Sequence, residues 1–237
     1  MAKVVILSGA GLSAESGIST FRDSGGLWDE YDVNVVCNYD SLEKNEDLTI
    51  EFYDKRRSEL EFKEANYAHK VISALKKEYG NKIAVITQNV DNLFEKAGMP
   101  SEDVIHLHGF MPEVRCTSCE SVFDIGYKKL CDFNNGFCKE CSSKLRPNIV
   151  FFGESAPMYE NLSHELSDCT LFIVIGTSGE VIGVNSIAQF AEQSILNNLE
   201  PSDAIKDSLF SKVLYTQATQ AIDEIARDIH GYLIEED

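Results

Sequence analysis

The sequence is short of positive charge, of long apolar stretches and of repetition. Lysine and arginine number 21 against 39 aspartate and glutamate, a formal charge of −18 at pH 7. Such a balance excludes nucleic acid or an anionic membrane surface as the main partner, since both are themselves anionic. No apolar run reaches the roughly 20 residues that cross a bilayer. The first residues also lack the charged region, apolar core and cleavage site of a secretory signal, so a cytoplasmic protein is expected. There is no internal repeat, no low-complexity segment and a single tryptophan, Trp28. The remainder, 43% apolar and 25% charged over 237 residues, is ordinary soluble globular composition. It is long enough for one full-sized domain and a smaller module.

Seven cysteines in a reducing compartment point to metal or catalysis before disulfides. Cys116-Thr-Ser-Cys119 and Cys138-Lys-Glu-Cys141 are two CxxC pairs separated by the 18 residues 120–137. Each pair can set two thiolates on one side of a tight knuckle, and two knuckles complete a tetrahedral zinc site. Four thiolates leave no open coordination position, so the expected role of one Zn2+ is structural. Cys37, Cys131 and Cys169 read as buried or free thiols.

Val4-Val5-Ile6-Leu7 reads as a buried strand, and it runs into Gly9-Ala10-Gly11-Leu12-Ser13. A buried strand, a glycine-rich turn and a helix start together form the usual grip on a dinucleotide. Ser13 or Ser16 can cap that helix. Ile83-Ala84-Val85-Ile86 is a second such strand, delivering Gln88, Asn89, Val90 and Asp91 to the edge where α/β sheets bind ligands. There Asp91 serves as a ligand contact or as the cap of a short helix through Leu93 and Phe94. Val104-Ile105-His106-Leu107-His108-Gly109 alternates, and the glycine marks His108 as an exposed strand-end position, a candidate general base. Leu171–Ile175 ends in Gly176-Thr177-Ser178-Gly179, a second strand-to-glycine junction.

Helices are expected over 50–60, 65–79, 158–166 and 218–229, and strand character returns from Pro147 to Glu154 to re-enter the sheet. Further strands are expected at 194–197 and 212–215. Strands alternating with helices give an α/β fold, a doubly wound parallel sheet with an inserted zinc module. On the first of those helices Tyr53 and Arg56 stand three apart and share a face. By spacing alone a solvated helix, with Arg56 and Arg57 paired to Glu51, Glu59 or Glu61, is the simpler account.

Taken in order, these motifs resemble the sirtuins, NAD-dependent protein lysine deacylases. The resemblance is carried by Gly9–Ser13 through Arg22, Thr87-Gln88-Asn89-Val90-Asp91, His108-Gly109 and the two CxxC pairs. It continues through Arg146-Pro147-Asn148-Ile149-Val150-Phe151-Phe152-Gly153-Glu154, Gly176-Thr177-Ser178 and Asn198-Leu199-Glu200. It implies a large Rossmann-like domain of about residues 1–30, 80–108 and 147–237. A smaller domain would come from insertions at about 31–79 (helical) and 109–146 (zinc module), with the ligands in the cleft between.

By the same resemblance, NAD is a consumed co-substrate and the partners are acylated lysines of proteins, met by a monomer. Gly9, Ala10, Gly11 and Ser13 would line the diphosphate, with Phe21 and Arg22 near the nicotinamide ribose. Gln88, Asn89 and Asp91 would hold that ribose, and Thr177, Ser178, Asn198 and Glu200 the adenosine end, with Ala218 near adenine. Ser16, Val90, Gly176 and Leu199 complete the expected cofactor set. The substrate peptide would add as a strand beside Phe152-Gly153-Glu154. In this chemistry the acyl oxygen displaces nicotinamide, His108 activates a ribose hydroxyl with Asn89 beside it, and water finally releases O-acyl-ADP-ribose and lysine. Tyr53 and Arg56 resemble the pair by which class III sirtuins accept acidic acyl groups such as succinyl, a guanidinium and a phenol clamping a terminal carboxylate. Phe94 and Phe151 depart from the family, which often has histidine and usually tryptophan there.

Two other readings compete. A Rossmann dehydrogenase would want an acidic residue ending a second strand about twenty residues past the glycines, and no clear strand precedes the loop from Trp28 to Asp32. A non-catalytic NAD or zinc module would have no use for His108, Asn89 and Asp91 together.

Overall fold

The computed structural model describes residues 3–19 and 31–235. Its strands run β1 (Val4–Ser8), β2 (Ile83–Thr87), β3 (Val104–His106), β4 (Gly109–Cys116), β5 (Val122–Asp124), β6 (Leu145–Ile149), β7 (Leu171–Ile175), β8 (Gln193–Asn198) and β9 (Lys212–Tyr215). Among them lie helices α1 (Ala10–Ala14), α2 (Val33–Val36), α3 (Tyr39–Leu42), α4 (Glu46–Leu60), α5 (Tyr67–Tyr79), α6 (Leu93–Lys96), α7 (Tyr159–Leu166), α8 (Val184–Phe190) and α9 (Ala218–Glu235).

Every residue of β1, β2 and β7 is buried, as a parallel strand covered on both faces requires. The six-stranded parallel sheet has the order β3-β2-β1-β7-β8-β9. Alternation along β1 assigns its side chains to two cores: Val4 and Ile6 meet α5 and α9, while Val5 and Leu7 meet α7 and α8. Strand order reverses between β1 and β7, and the C-terminal edge at that switch is where such sheets leave a ligand crevice.

Helix limits differ from the sequence expectation for local reasons. Helix α5 begins at Tyr67 because Asn66 is its cap, Oδ1 accepting the His69 N–H at 3.3 Å. Helix α4 begins at Glu46 rather than Ile50, with Glu46 and Asp47 in its first turn, where acidic groups suit the helix dipole. Helix α9 runs on past Ile229, its buried stripe extending to Leu233.

One expectation is overturned. The segment opening at Pro147 does not re-enter the parallel sheet: β6 pairs antiparallel with β4, which pairs with β5, in a separate three-stranded sheet. Strand 147–149 thus belongs with the cysteine module. Arg57, 0% exposed, fastens this module to α4. Its Nε donates to the Met111 carbonyl at 2.8 Å, and Nη1 meets Asp54 at 2.5 Å, not the glutamates its spacing suggested. The Asp54 carboxylate in turn accepts the Leu130 N–H at 3.0 Å.

His69 lies 1% exposed in the core, edge-on to Phe94 at 5.0 Å, with no hydrogen-bond partner on either ring nitrogen. Burial holds its pKa down to about 3. The folded state therefore keeps it neutral while the unfolded chain protonates near pH 6.5, so its contribution is intact above that pH and is lost as pH falls toward 3. Between pH 7 and 5 we expect denaturant unfolding to show His69→Leu gaining about 2 kcal/mol relative to the parent. Parallel pH profiles for the two proteins would contradict this.

Candidate functional site

Three strand-end turns meet at the switch point. The Gly9 N–H donates to the Ile175 carbonyl at 2.9 Å, the Gly11 N–H to the Gly176 carbonyl at 2.8 Å, and the Gly176 N–H to the Asn197 carbonyl at 2.8 Å. A Cβ on Gly9 would lie 2.7 Å from the Gly176 oxygen, and one on Gly11 would lie 2.7 Å from the Gly176 Cα. Gly176 has φ +67°, a left-handed backbone that favours glycine. These glycines are thus required first by backbone touching backbone. The N–H groups of Gly9 and Gly11 are committed within the protein.

Side chains stitch the same turns together. The Ser13 hydroxyl donates to Asp91 Oδ2 at 2.8 Å and accepts from Asn89 Nδ2 at 2.9 Å, which also donates to the Gly9 carbonyl at 3.0 Å. Ser13 is therefore no helix cap: Gly9 holds the cap position of α1 without a side-chain bond. Asp91 also steadies the start of α6, whose cap position is Asn92, because its Oδ1 accepts the Leu93 N–H at 3.1 Å. Burial pushes its carboxyl upward, opposed by the Ser13 and Leu93 bonds. Gln88 Nε2 donates to Thr177 Oγ1 at 3.0 Å, and Asn198 Nδ2 to the Thr177 carbonyl at 2.9 Å.

Over these turns opens a cleft of about 1350 Å³. The structure brings Gly9, Ala10, Gly11, Ser13, Gln88, Asn89, Val90 and Asp91 to its wall. It brings Gly176, Thr177, Ser178, Asn198, Leu199, Glu200 and Ala218 there as well. Ser16 is not among the cleft residues, and its hydroxyl is buried without a hydrogen-bond partner. Phe21 and Arg22 lie outside the described residues.

His108 and His106 part company. His106 is held by Glu95 at 3.0 Å and by the Asn89 carbonyl at 3.2 Å. His108 faces the cleft, its Nδ1 3.0 Å from the Gln88 carbonyl. A carbonyl only accepts, so Nδ1 carries the proton and Nε2 keeps its lone pair. Burial pushes the His108 pKa down, which keeps the ring neutral.

Across the cleft, Tyr53 and Arg56 are present together with Cys37 and Phe151. Tyr53 is edge-on to Phe151 at 5.7 Å, and its hydroxyl is 3.4 Å from Cys37 Sγ. Burial raises the pKa of both the phenol and the thiol, so each keeps its proton at neutral pH. The Arg56 guanidinium sits 5.6 Å from the Phe52 ring centre. Cys37 is expected as a buried or free thiol, since a lone cysteine carries no sign of a site, yet it lines the cleft. Tyr159, also at the cleft, was likewise unmarked. Phe152 has both backbone groups committed, its N–H to the Cys37 carbonyl at 2.8 Å and its carbonyl to the Tyr39 N–H at 3.0 Å. The Glu154 N–H is likewise committed, to the Phe151 carbonyl at 3.0 Å.

The four cysteines of the CxxC pairs converge, all sulfurs lying within 4.8 Å of one another. Cys116 and Cys141 Sγ are 3.4 Å apart, and Cys119 and Cys138 Sγ 3.7 Å. A tetrahedral zinc with 2.3 Å bonds places its sulfurs about 3.8 Å apart, so the tetrad fits that ion. Backbone N–H groups of Ser118, Cys119 and Glu140 donate to Cys116 and Cys138 Sγ at 3.4 Å, the bonds a thiolate accepts. Glu120 and Ser142, each just after the second cysteine of a pair, share a left-handed turn, φ 60° and 63°. The knuckles are thus built alike. We expect one zinc per purified chain. Its chelation should raise hydrogen exchange in β4, β5 and β6 at least about ten-fold while β1, β2 and β7 stay protected. Unchanged exchange in the small sheet would contradict a structural role.

Comparison with known proteins agrees with this geometry. The Sir2 family model matches residues 9–183. An NAD-dependent protein deacylase of Campylobacter jejuni strain RM1221 is 49% identical, covering 98% of both chains. One from Helicobacter hepaticus is 43% identical over 99% of this chain and 100% of its own. Among solved structures, a Sir2 homolog–NAD complex superposes with a TM-score of 0.84 at 32% identity, covering 98% of this chain and 90% of that one. A family match over most of the chain, near full-length relatives and a shared fold lead to one conclusion: this chain belongs to the Sir2 family, the sirtuins.

Proposed function

We infer that the protein is an NAD-dependent protein lysine deacylase in which His108 is the general base. The observation that carries the reading is the fixed His108 ring, Nδ1 tied to the Gln88 carbonyl, in the same cleft as the Ser13–Asn89–Asp91 network. The family match and the printed activity of the near full-length relatives support the NAD-dependent chemistry. NAD, when bound, supplies a ribose carbon bearing nicotinamide as a leaving group, and the products are nicotinamide, O-acyl-ADP-ribose and free lysine. The residues around it divide the work of holding and proton transfer. The turns at Gly9–Ser13 and Gly176–Ser178 line the diphosphate and adenosine side, with Asn198, Leu199, Glu200 and Ala218 beyond. Asn89 and Asp91 orient the nicotinamide ribose, and His108 Nε2 takes the proton of its hydroxyl. Four cysteines held out of disulfides at the tetrad suit a reducing compartment.

In this reading, Tyr53 and Arg56 select the acyl group. A protonated phenol and a guanidinium in one apolar wall, lined by Phe151 and Met111, fit an acyl chain ending in a carboxylate such as succinyl. The parallel sheet with its helices forms the large domain, and α4 with the cysteine module forms the small one.

His108→Ala should lose deacylation by about 10²–10⁴-fold while NAD affinity, read by calorimetry, stays within a few-fold. Near-full turnover in that variant would remove His108 from the reaction. Arg56→Met should cost kcat/KM for a succinyl-lysine peptide about 10-fold or more, leaving an acetyl-lysine peptide much less affected. Equal losses on both peptides would make Arg56 a structural residue only.

A further inference from the structure

The Tyr159 hydroxyl stands 3.0 Å from His108 Nε2. The two ring centres are 6.0 Å apart and tilted by 47°, so the phenol meets the imidazole at its edge rather than stacking on it. Because Nδ1 carries the ring proton, Nε2 has only a lone pair, and the phenol must be the donor. One imidazole lone pair accepts one strong hydrogen bond. While Tyr159 holds it, no substrate hydroxyl can.

Tyr159 is the first residue of α7, its ring resting against the core that α7 and α8 share with the sheet. The segment before it is anchored at Glu154 by the Arg146 ion pair and by the Phe151 N–H, the latter at 3.1 Å. Residues 155–158 then belong to no helix or strand. Rotation of the phenol away from His108 therefore breaks no backbone ladder. The exchange of one hydroxyl donor for another at Nε2 is close to neutral in energy, because bonds are replaced rather than lost.

We propose that Tyr159 is a positioning residue that caps His108: it occupies the Nε2 lone pair in the ligand-free enzyme and is displaced by the ribose hydroxyl when NAD enters. The base is thereby exposed only in a loaded cleft. The proposal rests on the reading of His108 as the base, and its first test, chemical labelling, is independent of turnover.

The test is site-resolved carbethoxylation of the ligand-free enzyme by diethyl pyrocarbonate, which needs a free imidazole lone pair, followed by mass spectrometry. His164, with its side chain 81% exposed, serves as the internal reference. In Tyr159→Phe, which keeps the ring and its packing, His108 should label about ten-fold faster than in the parent, and His164 at the same rate. Added NAD should slow His108 labelling in the Phe variant. The NAD concentration for half-maximal deacylation should fall about five-fold, the equivalent of one hydrogen bond no longer competing. Equal His108 labelling in the two proteins overturns the cap. So does a Phe variant that loses deacylation about 10²-fold while still exchanging labelled nicotinamide into NAD, since the phenol would then be passing the proton itself. If instead His108→Ala deacylates normally, the base assignment fails, and the labelling difference still reports whether Nε2 is capped.

Discussion

The organisation of this molecule depends on a place where backbone must touch backbone. At the switch point of the parallel sheet the turns after β1 and β7 interlock through the Gly9, Gly11 and Gly176 amides, with no room for a Cβ on either side. Because that junction has no side chains of its own, its surroundings are fastened by polar ones. Ser13, Asn89 and Asp91 tie the first turn to the β2 turn, and Gln88 and Asn198 tie Thr177 to its neighbours. The same hydrogen bonds that close the sheet edge hold polar groups at the floor of the cleft. The cleft floor and the sheet edge share one network, so a change such as Ser13→Ala would loosen both.

The far wall is built by different means. Helix α4 and the small antiparallel sheet share an apolar cluster, Phe52, Tyr53 and Leu60 with Met111 and Ile149, and they are further joined by the buried Arg57, whose charge is met by Asp54 and by the Met111 carbonyl. A buried guanidinium of this kind contributes orientation more than net stability, since desolvation offsets much of its attraction. The cysteine tetrad then closes the tip of the module at a spacing that suits zinc. This arrangement brings Tyr53 and Arg56 to the same cleft as His108.

Much of this was legible in the residues, for identifiable reasons. A strand buried on both faces is written as an unbroken apolar run, which is why β1, β2 and β7 are legible, with a glycine turn after β1 and after β7. Paired CxxC motifs are legible because tetrahedral thiolate coordination dictates their spacing. What could not be read were the pairings that chain order does not encode. The apolar run at Pro147 has strand character in either sheet, and only the contact with β4 decides which one it joins. Ser13 reads as a cap from its position near a helix start, yet its partner is 78 residues away. Tyr159 at the head of a helix looks like an ordinary half-buried aromatic, and its meeting with His108 across 51 residues leaves no local mark.

These elements describe an NAD-dependent protein lysine deacylase with a preassembled cleft, lined by His108 in one tautomer and by Tyr53 and Arg56. The most direct measurement of that account is nicotinamide release on mixing the protein with NAD and an acetyl- or succinyl-lysine peptide. The account predicts release that requires the peptide and matches the freed lysine one for one. Release without peptide, or formation of NADH, would contradict it.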